Sequence, residues 1–321
     1  MTNQSEAILK LTVPTPFPVG DVHMYLIRGE SLTLVDAGVK TEQALNLLTK
    51  QLDDLGYKLA DIEQIVLTHH HPDHIGLVGH FPNVHNIYGH RLNRPWLVRD
   101  EEFFKRYEAY FYELYQLSGT PKSYQSFLKT LRSPLKFAGE SDLLEELVDG
   151  DRLPGHPEFK VIETPGHAQS HLAFYRETDG AFIGGDLLLS NSSSNPLLEP
   201  PESVDQERPK PLLQYRNSLQ KCLDYQIGEV YPGHGPIFSN FSELVAKRLE
   251  KQEQRARLAF GLFKGNDLTP FMLCQNLFPN HIEQQFGLTM SETMGQLDYL
   301  EDKGFIVKYI EQGKLFYSKT N

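Results

Sequence analysis

Residues 68–76 read Thr-His-His-His-Pro-Asp-His-Ile-Gly, and they place four metal-binding side chains in one short turn. These side chains are His69, His71, Asp73 and His74, in the pattern His-x-His-x-Asp-His. A buried imidazole or carboxylate costs free energy unless a partner satisfies it. Divalent first-row metal ions are suitable partners, because imidazole and carboxylate are among their usual ligands. The turn therefore predicts a metal centre.

Three further candidate ligands follow short apolar segments elsewhere in the chain. His167 comes after the run 159–162, whose alternation is typical of a half-buried strand. Asp186 closes the run 181–186, and His234 lies in a turn rich in glycine and proline. Loops at the edge of a sheet can bring distant parts of a chain together. We expect all of these side chains to meet at one such edge.

Together with Asp36, these residues resemble the signature of the metallo-β-lactamase superfamily. The combined motif is highly specific, and the resemblance covers roughly the first 240 residues. It implies an α/β fold, an αββα sandwich in which two mixed sheets pack face to face with helices outside. A dinuclear metal site is then expected at one edge of the sandwich.

The resemblance gives each metal ion three ligands of its own and one that is shared. The ligands implied for the first ion are His69, His71 and His167. Those implied for the second ion are Asp73, His74 and His234. Asp186 is expected to bridge the two ions.

Some neighbouring side chains are expected to support the ligands without binding metal. The resemblance implies this role for Asp36. His171 follows His167 by four positions and is expected to form a hydrogen bond near the site or to the backbone. His70 should point away from the metals, since it alternates with two ligands; solvent or a supporting role is expected for it. The other histidines, His23 and His156 among them, show no partner pattern, and ordinary surface or core placement is expected.

Two divalent ions held in this way lower the pKa of a bridging water and yield hydroxide as the nucleophile. Asp73 is the candidate catalytic side chain, which would orient the hydroxide or pass its proton to the leaving group. The predicted reaction is hydrolysis of an ester, thioester, lactone or phosphodiester. Zinc is the expected metal, with iron or manganese as alternatives that relatives with the same ligand types use.

One position departs from the zinc-dependent β-lactamases, because those enzymes often carry cysteine where this chain has Asp186. A carboxylate there resembles the thioesterase, lactonase and nuclease branches, so antibiotic hydrolysis is not the expected activity. Residues 1–6 lack the basic start and apolar run of a secretory signal. Cys222 and Cys274 form no spaced pair that would indicate disulfides or a zinc knuckle. These features predict a cytoplasmic protein.

Composition narrows the class of substrate. The formal net charge of −11 argues against a protein that mainly grips phosphate backbones. The longest apolar runs are shorter than the roughly 20 residues that span a bilayer, so no membrane partner is expected. A small ester, thioester or lactone is therefore the first prediction. A phosphodiesterase or endoribonuclease is the enzymatic alternative, and a regulator that senses a ligand is the non-enzymatic one.

We predict two domains, a catalytic domain over residues 1–240 and a second domain over residues 241–321. Within the first, a helix is predicted from Thr41 to Leu55, and residues 91–144 are predicted as a helical insertion. The insertion is rich in aromatic residues. Helical spacing indicates a buried stripe of Phe103, Tyr107 and Phe111 that packs onto the sandwich, and an apolar lid over the metals is the alternative. Residues 190–211 are predicted as a loop that forms one wall of the pocket.

The second domain is predicted to contain three helices followed by a β-hairpin at residues 305–310 and 314–317. This order resembles the winged helix found in the superfamily branch that includes β-lactamase-like endoribonucleases. Residues 241–321 contain ten Lys plus Arg and ten Asp plus Glu, whereas a surface that tracks phosphates needs a basic excess. The domain is therefore expected to cap the active site or to form a homodimer contact, and nucleic-acid binding is the alternative.

Overall fold

The structure is a computed structural model that describes residues 8–203 and 205–320. The chain packs as two compact units. The first contains the chain up to Asp100 together with Ser133–Ser194 and Ser218–Ser242. The second contains Glu101–Arg132, Asn195–Asn217 and the chain from Glu243 onward. The domain boundary expected after residue 240 stays a prediction, but two earlier segments pack with the C-terminal part.

Two mixed sheets form the first unit. The first sheet has its strands in chain order: β1 (Leu9–Val13), β2 (Val22–Arg28), β3 (Leu32–Val35), β4 (Gln64–Val66), β5 (Asn86–Gly89) and β6 (Glu145–Glu146). Its first three strands are antiparallel and the later ones are parallel. The second sheet has the order β11-β10-β9-β8-β7 and is built from β7 (Arg152–Leu153), β8 (His156–Glu163), β9 (Leu172–Arg176), β10 (Ala181–Gly185) and β11 (Glu229–Pro232).

The two sheets face each other across one apolar core. Side chains alternate along a strand, so each sheet turns every second residue inward. The inward residues form a single cluster that includes Tyr25, Val35 and Val66 from the first sheet, and Phe159, Phe174 and Ile183 from the second. Burying one such side chain contributes about 1.5–3 kcal/mol. The predicted α/β sandwich is confirmed.

The helices are short around the metal-ligand turn and longer in the second unit. They are α1 (Glu42–Asp54), α2 (Pro72–Ile75), α3 (Arg94–Leu97), α4 (Glu101–Leu117), α5 (Gln125–Leu128), α6 (Pro211–Cys222), α7 (Phe241–Gly261), α8 (Pro270–Leu277) and α9 (Phe286–Asp302). Short 3₁₀ turns occur at Leu59–Asp61, Val78–His80, Arg91–Asn93, Lys122–Tyr124 and Ser133–Phe137. The residues between β10 and α6 form a loop along their described length, as predicted.

Helix α1 begins and ends where its sequence predicts. The Thr41 side chain accepts a hydrogen bond from the amide of Ala44 at 3.1 Å, which caps the first turn. Gly56 follows the helix with φ of +82°, a conformation that glycine adopts at low cost. Leu48 and Leu52 are buried on the inner face, whereas Leu55 is exposed. Leu55 therefore lies outside the buried face of the helix.

The second unit has a separate aromatic core. Tyr115 of α4 meets Phe286 of α9 with ring centroids 4.9 Å apart, and Phe111 belongs to the same buried cluster. The expectation that the stripe of α4 packs onto the sandwich is corrected, because its cluster partners lie in this unit. Helical spacing identified the apolar face of α4, but it carries no information about the element that covers that face.

Three helices and a hairpin follow one another in the second unit, in the predicted order. The hairpin consists of β12 (Ile306–Glu311) and β13 (Lys314–Lys319). Its turn residues Gln312 and Gly313 both have positive φ, as a tight two-residue turn requires. The winged-helix assignment stays a prediction. Within the described residues, no helix is both long and apolar enough to cross a membrane.

One acidic residue of α9 lies in the interior of the second unit. Asp298 is fully buried and forms a two-pronged ion pair with the guanidinium of Arg208. Most of α9 is buried as well. Asp298 therefore stabilises the interior of the second unit and adds no charge to its surface.

Candidate metal centre

The histidine-rich turn connects β4 to the short helix α2. Proline at the first position of α2 fixes the backbone angle that a helix start needs. The chain therefore leaves β4 extended through His69 and His71 and then winds once, which places Asp73 and His74 on the helix. His69 and His74 are fully buried, and Asp73 is 6% exposed. The turn thus delivers its polar side chains into the interior.

The structure brings together all seven predicted ligands. They fall into three overlapping groups, and within each group the potential ligand atoms lie within 4.8 Å of one another. The first group contains His69, His71 and His167. The second contains His69, His74 and Asp186, and the third contains Asp73, His74 and His234.

The spacing of the ligand atoms fits metal binding. His71 Nδ1 lies 3.0 Å from Nε2 of His69 and 3.0 Å from Nε2 of His167. Asp186 Oδ2 lies 3.4 Å from His167 Nε2 and 3.5 Å from His234 Nε2. In a tetrahedral site with metal–nitrogen bonds near 2.0–2.1 Å, ligand atoms are separated by about 3.3 Å. Asp186 therefore stands between the two sets of histidines.

Asp36 fixes which nitrogen of two ligands faces the site. Its carboxylate accepts a hydrogen bond from His74 Nδ1 at 2.7 Å and from the Thr68 hydroxyl at 2.8 Å. Because the Thr68 proton is used in this way, its oxygen accepts from His69 Nδ1 at 3.0 Å. In their neutral forms, His69 and His74 therefore both present the Nε2 lone pair to the cluster.

Three buried polar atoms at the cluster lack a hydrogen-bond partner among the described residues. They are His74 Nε2, His234 Nε2 and Asp186 Oδ1. His234 uses its other nitrogen to donate to the Asp21 carbonyl at 2.7 Å, so in the neutral ring Nε2 is a lone pair too. Buried lone pairs without a donor are costly, and a cation satisfies them. The residues present fit a metal ion.

The pKa values of the clustered side chains show which of them favour a positive charge nearby. Burial, reinforced by the neighbouring histidines, holds the pKa of His69 and of His71 well below the ordinary value. Burial also opposes the charged forms of His74 and Asp186, but their mutual attraction and that of Asp36 and His234 prevail. The pKa of His74 is raised and that of Asp186 is lowered. The raised pKa favours a protonated His74 when no metal is bound, so a metal ion that binds Nε2 must displace that proton.

His171 supports the site without facing it. Its Nε2 accepts from the backbone amide of Asp186 at 3.0 Å, so Nδ1 carries the proton and donates to Thr164 at 2.7 Å. Burial lowers the pKa of His171 to about 3, which keeps the ring neutral. Gly185 lies against the same ring with φ of +47°. These hydrogen bonds are those that the expected supporting role requires.

His70 points away from the ligand cluster but does not reach solvent. Its Nδ1 lies 2.8 Å from the Ser170 hydroxyl, and its ring stacks on Trp96 with centroids 4.3 Å apart. The residue is 2% exposed. The alternative of a solvent-facing His70 is therefore wrong. Alternation along the chain predicts which way a side chain points, but it does not predict whether that side chain is buried.

Sequence reasoning missed several residues that hold the ligands. Thr68 directly precedes the proposed ligand His69, and that adjacency was an available signal; Ser170 acts one step away, through its bonds to the backbone and ring of His70. His23 and Tyr25 form hydrogen bonds to backbone carbonyls beside His234. Their partners are more than 200 positions away in the chain, so nothing in the local sequence indicated the contact.

Comparisons with known proteins agree with this geometry. A family model described as the metallo-beta-lactamase superfamily matches residues 17–234. A protein named probable metallo-hydrolase YqjP, from Bacillus subtilis, is 40% identical over 316 residues, which cover 98% of each chain. A crystal structure of a metallo-beta-lactamase family protein from Thermus thermophilus has a TM-score of 0.81, 28% identity and 98% coverage of both chains. A hydroxyacylglutathione hydrolase of Aeromonas hydrophila is 28% identical over 185 residues, 56% of this chain and 50% of that one.

Proposed function

This chain belongs to the metallo-β-lactamase superfamily and is a metallo-hydrolase, and from that premise we propose that it hydrolyses small esters, thioesters or lactones at a dinuclear centre. The observation that carries the proposal is the position of Asp186. Its carboxylate stands between the histidines of the two ligand sets, within 3.4–3.7 Å of His74, His167 and His234. A pair of neighbouring ions requires a carboxylate that both can share, whereas a single ion does not.

Each ion has its own ligand set in this proposal. The first is held by His69, His71 and His167. The second is held by Asp73, His74 and His234. Asp186 would contribute a carboxylate oxygen to each. Zinc is the first choice of metal, and iron and manganese are the alternatives, since the ligand types suit all three.

Two divalent ions bound there supply an activated water and polarise the carbonyl oxygen of the substrate. The chain's own residues prepare the reaction. Asp36 and Thr68 fix the tautomers of two histidines, and His171 holds the backbone amide of Asp186. Asp73 is the catalytic carboxylate, since it is part of the cluster and can accept a proton and pass it to the leaving group.

The class of substrate is supported by charge and by similarity. A chain with net charge −11 repels polyanions unless it offers a local basic groove. The Aeromonas relative is named for hydrolysis of an acylated glutathione, which is a thioester. The carboxylate at Asp186 also differs from the cysteine of many zinc-dependent β-lactamases. These features together favour an acyl substrate of modest size.

Phosphodiester cleavage is the second candidate, because the same metal arrangement can activate water against phosphorus. The C-terminal helices and hairpin favour it by their order, which resembles a winged helix. The burial of most of α9 is unfavourable, since a recognition helix must be exposed to enter a groove. A ligand-sensing regulator is a third reading, which intact ligands at all seven positions oppose. A cytoplasmic location and a homodimer remain predictions from sequence.

The experiment is a set of initial rates with the zinc-, manganese- and iron-loaded protein. The substrates are thioesters, lactones, aryl esters and a phosphodiester. Asp186→Ala serves as the site-dead control, and Asp142→Ala as the matched control, because Asp142 is an exposed carboxylate bonded to Arg94. We expect acyl substrates to react fastest and Asp186→Ala to lose that rate. Turnover of the phosphodiester alone, or equal rates for Asp186→Ala and the wild type, contradicts the proposal.

A further inference from the structure

The start of strand β2 holds the turn that carries His234. The carbonyl of Asp21 accepts from His234 Nδ1 at 2.7 Å. The amide of His23 donates to the Gly233 carbonyl at 2.8 Å, and its ring Nε2 lies 2.7 Å from the Gly235 carbonyl. Residues on both sides of His234 are therefore bonded to one residue of β2.

Tyr25, two residues after His23 in β2, forms a further contact with the same turn. Its hydroxyl donates to the Pro232 carbonyl at 2.6 Å, and the side chain is 2% exposed. His23 and Tyr25 are alternate residues of β2, so their side chains turn to the same side of the strand, and Asp21, which directly precedes β2, contributes its backbone carbonyl. We call these three residues the β2 clamp.

The partners of His23 fix its protonation state. A backbone carbonyl only accepts, so Nε2 must carry a proton and donate to Gly235. The neutral ring then has an unprotonated Nδ1, which accepts from the Thr12 hydroxyl at 2.9 Å. Thr12 lies directly across from His23 in the β1–β2 register. The ring is 5% exposed and is thus held from both sides.

We propose that His23 is a positioning residue for His234 and thereby sets how tightly the second metal ion binds. The inference rests on the proposed dinuclear site. His234 is the only one of the second ion's proposed ligands that comes from this turn, and its neighbour Gly235 has φ of +80°. A turn with glycine on both sides of the ligand has little stiffness of its own, so its position depends on the clamp.

Replacing the His23 side chain leaves most of the clamp intact. The backbone bond from residue 23 to Gly233 remains, and so do the bonds of Asp21 and Tyr25. Loss of the ring therefore frees only the Gly235 side of the turn. Supporting side chains of this kind change metal affinity by about 10- to 100-fold when they are removed.

Metal binding at equilibrium tests the inference without an activity assay. The apoprotein is titrated with zinc against a competing chelator, and the bound zinc per chain is counted for the wild type, His23→Met and His23→Gln. Glutamine can still donate from its amide nitrogen to Gly235, whereas methionine cannot. His156→Met is the matched control, since His156 is also a buried histidine bonded to a threonine. Its partner Thr33 lies at the starting end of β3, whereas the site lies beyond the other end of that strand.

We expect His23→Met to weaken the second zinc by about 10- to 100-fold and to leave the first unchanged. His23→Gln should recover most of that loss, and His156→Met should bind both ions like the wild type. If the wild type itself binds fewer than two ions, the proposed dinuclear site fails. If the wild type binds two and His23→Met binds both equally well, the clamp inference is wrong.

Folding of the variants is checked by circular dichroism. Should His23→Met not fold, Thr12→Val replaces it, because that change removes the hydroxyl that fixes the His23 ring and leaves the ring in place. It is expected to weaken the second ion in the same direction by a smaller factor. Unchanged affinity in a folded Thr12→Val protein would overturn the inference in that case.

Discussion

The carboxylate of Asp36, the residue that follows β3, lies 2.7 Å from Nδ1 of His74 in α2. The same carboxylate accepts from the amide and the hydroxyl of Thr68. Asp36 reaches this position with φ of +63°, which is costly for most residues and easier for aspartate. Asp36 therefore orients two of the proposed metal ligands from a backbone conformation that few residues adopt.

Asp36→Asn is predicted to lower metal content and turnover by about 10- to 100-fold. An amide keeps only one accepting oxygen, so it loses either the bond from the Thr68 amide or both bonds from the Thr68 hydroxyl and His74 Nδ1, and the tautomers of His69 and His74 are fixed less firmly. The measurement is bound metal per chain after dialysis, together with the rate on the preferred substrate. Asp142→Asn is the control. A fully metallated, fully active Asp36→Asn protein would refute the tautomer argument.

Gly233→Ala is predicted to remove metal binding with little change in folding. A methyl group at this position would overlap Asp186 Oδ1 and would come within 2.8 Å of a ring carbon of His74. The conflict is steric alone, since Gly233 is not among the glycines with positive φ. Gly261→Ala is the matched control, because a methyl group there meets nothing within 4 Å. Retention of two ions by Gly233→Ala would show that Asp186 has another position available.

The first unit is predicted to lose stability in acid partly through His156. Burial lowers the pKa of this residue from 6.5 despite the opposing charges of Glu158 and Glu30. The unfolded chain therefore binds this proton at higher pH than the folded chain does. The stabilising contribution is complete above pH 6.5 and declines as the pH falls toward the lower folded-state value, by at most about 1.4 kcal/mol per pH unit.

The thermal midpoint of the apoprotein at neutral and mildly acidic pH measures this effect. His156→Gln should lose less stability than the wild type between the two conditions, whatever its stability at neutral pH. Equal losses in the two proteins would mean that His156 does not contribute to the acid sensitivity.

Asp298→Ala is predicted to destabilise the second unit by about 3 kcal/mol. The change leaves the largely buried guanidinium of Arg208 without its counter-charge, and breaking a buried pair on one side is strongly unfavourable. Asp142→Ala breaks the exposed pair with Arg94 and should cost at most about 1 kcal/mol. Urea unfolding followed by circular dichroism compares the two. Equal, small effects would contradict the importance of the buried pair.

The ligand set could be predicted because its chemistry is local. His69, His71, Asp73 and His74 lie within six positions, and strand-ending motifs mark Asp186. Helix α1 and the final hairpin were predictable for the same reason, since capping residues and tight turns are short-range signals. Both were confirmed to within one or two residues.

Long-range partners were not predictable in this way. The apolar face of α4 was visible in the sequence, but its partner Phe286 was not. The burial of Asp298 was not visible in the sequence, because its ion-pair partner Arg208 lies 90 positions away. His23 was dismissed because its contacts are with backbone atoms of a distant turn. A single sequence records which residues are apolar or charged, and the fold decides what each of them meets.

Anomalous diffraction from crystals of the metal-loaded protein is the most direct test of the dinuclear centre. Maps collected at the absorption edges of zinc, iron and manganese locate and identify the ions together. We predict two peaks about 3.5–4 Å apart, one beside His71 and His167 and the other beside Asp73 and His234, with Asp186 between them. A single peak, or peaks that do not contact Asp186, would contradict the account.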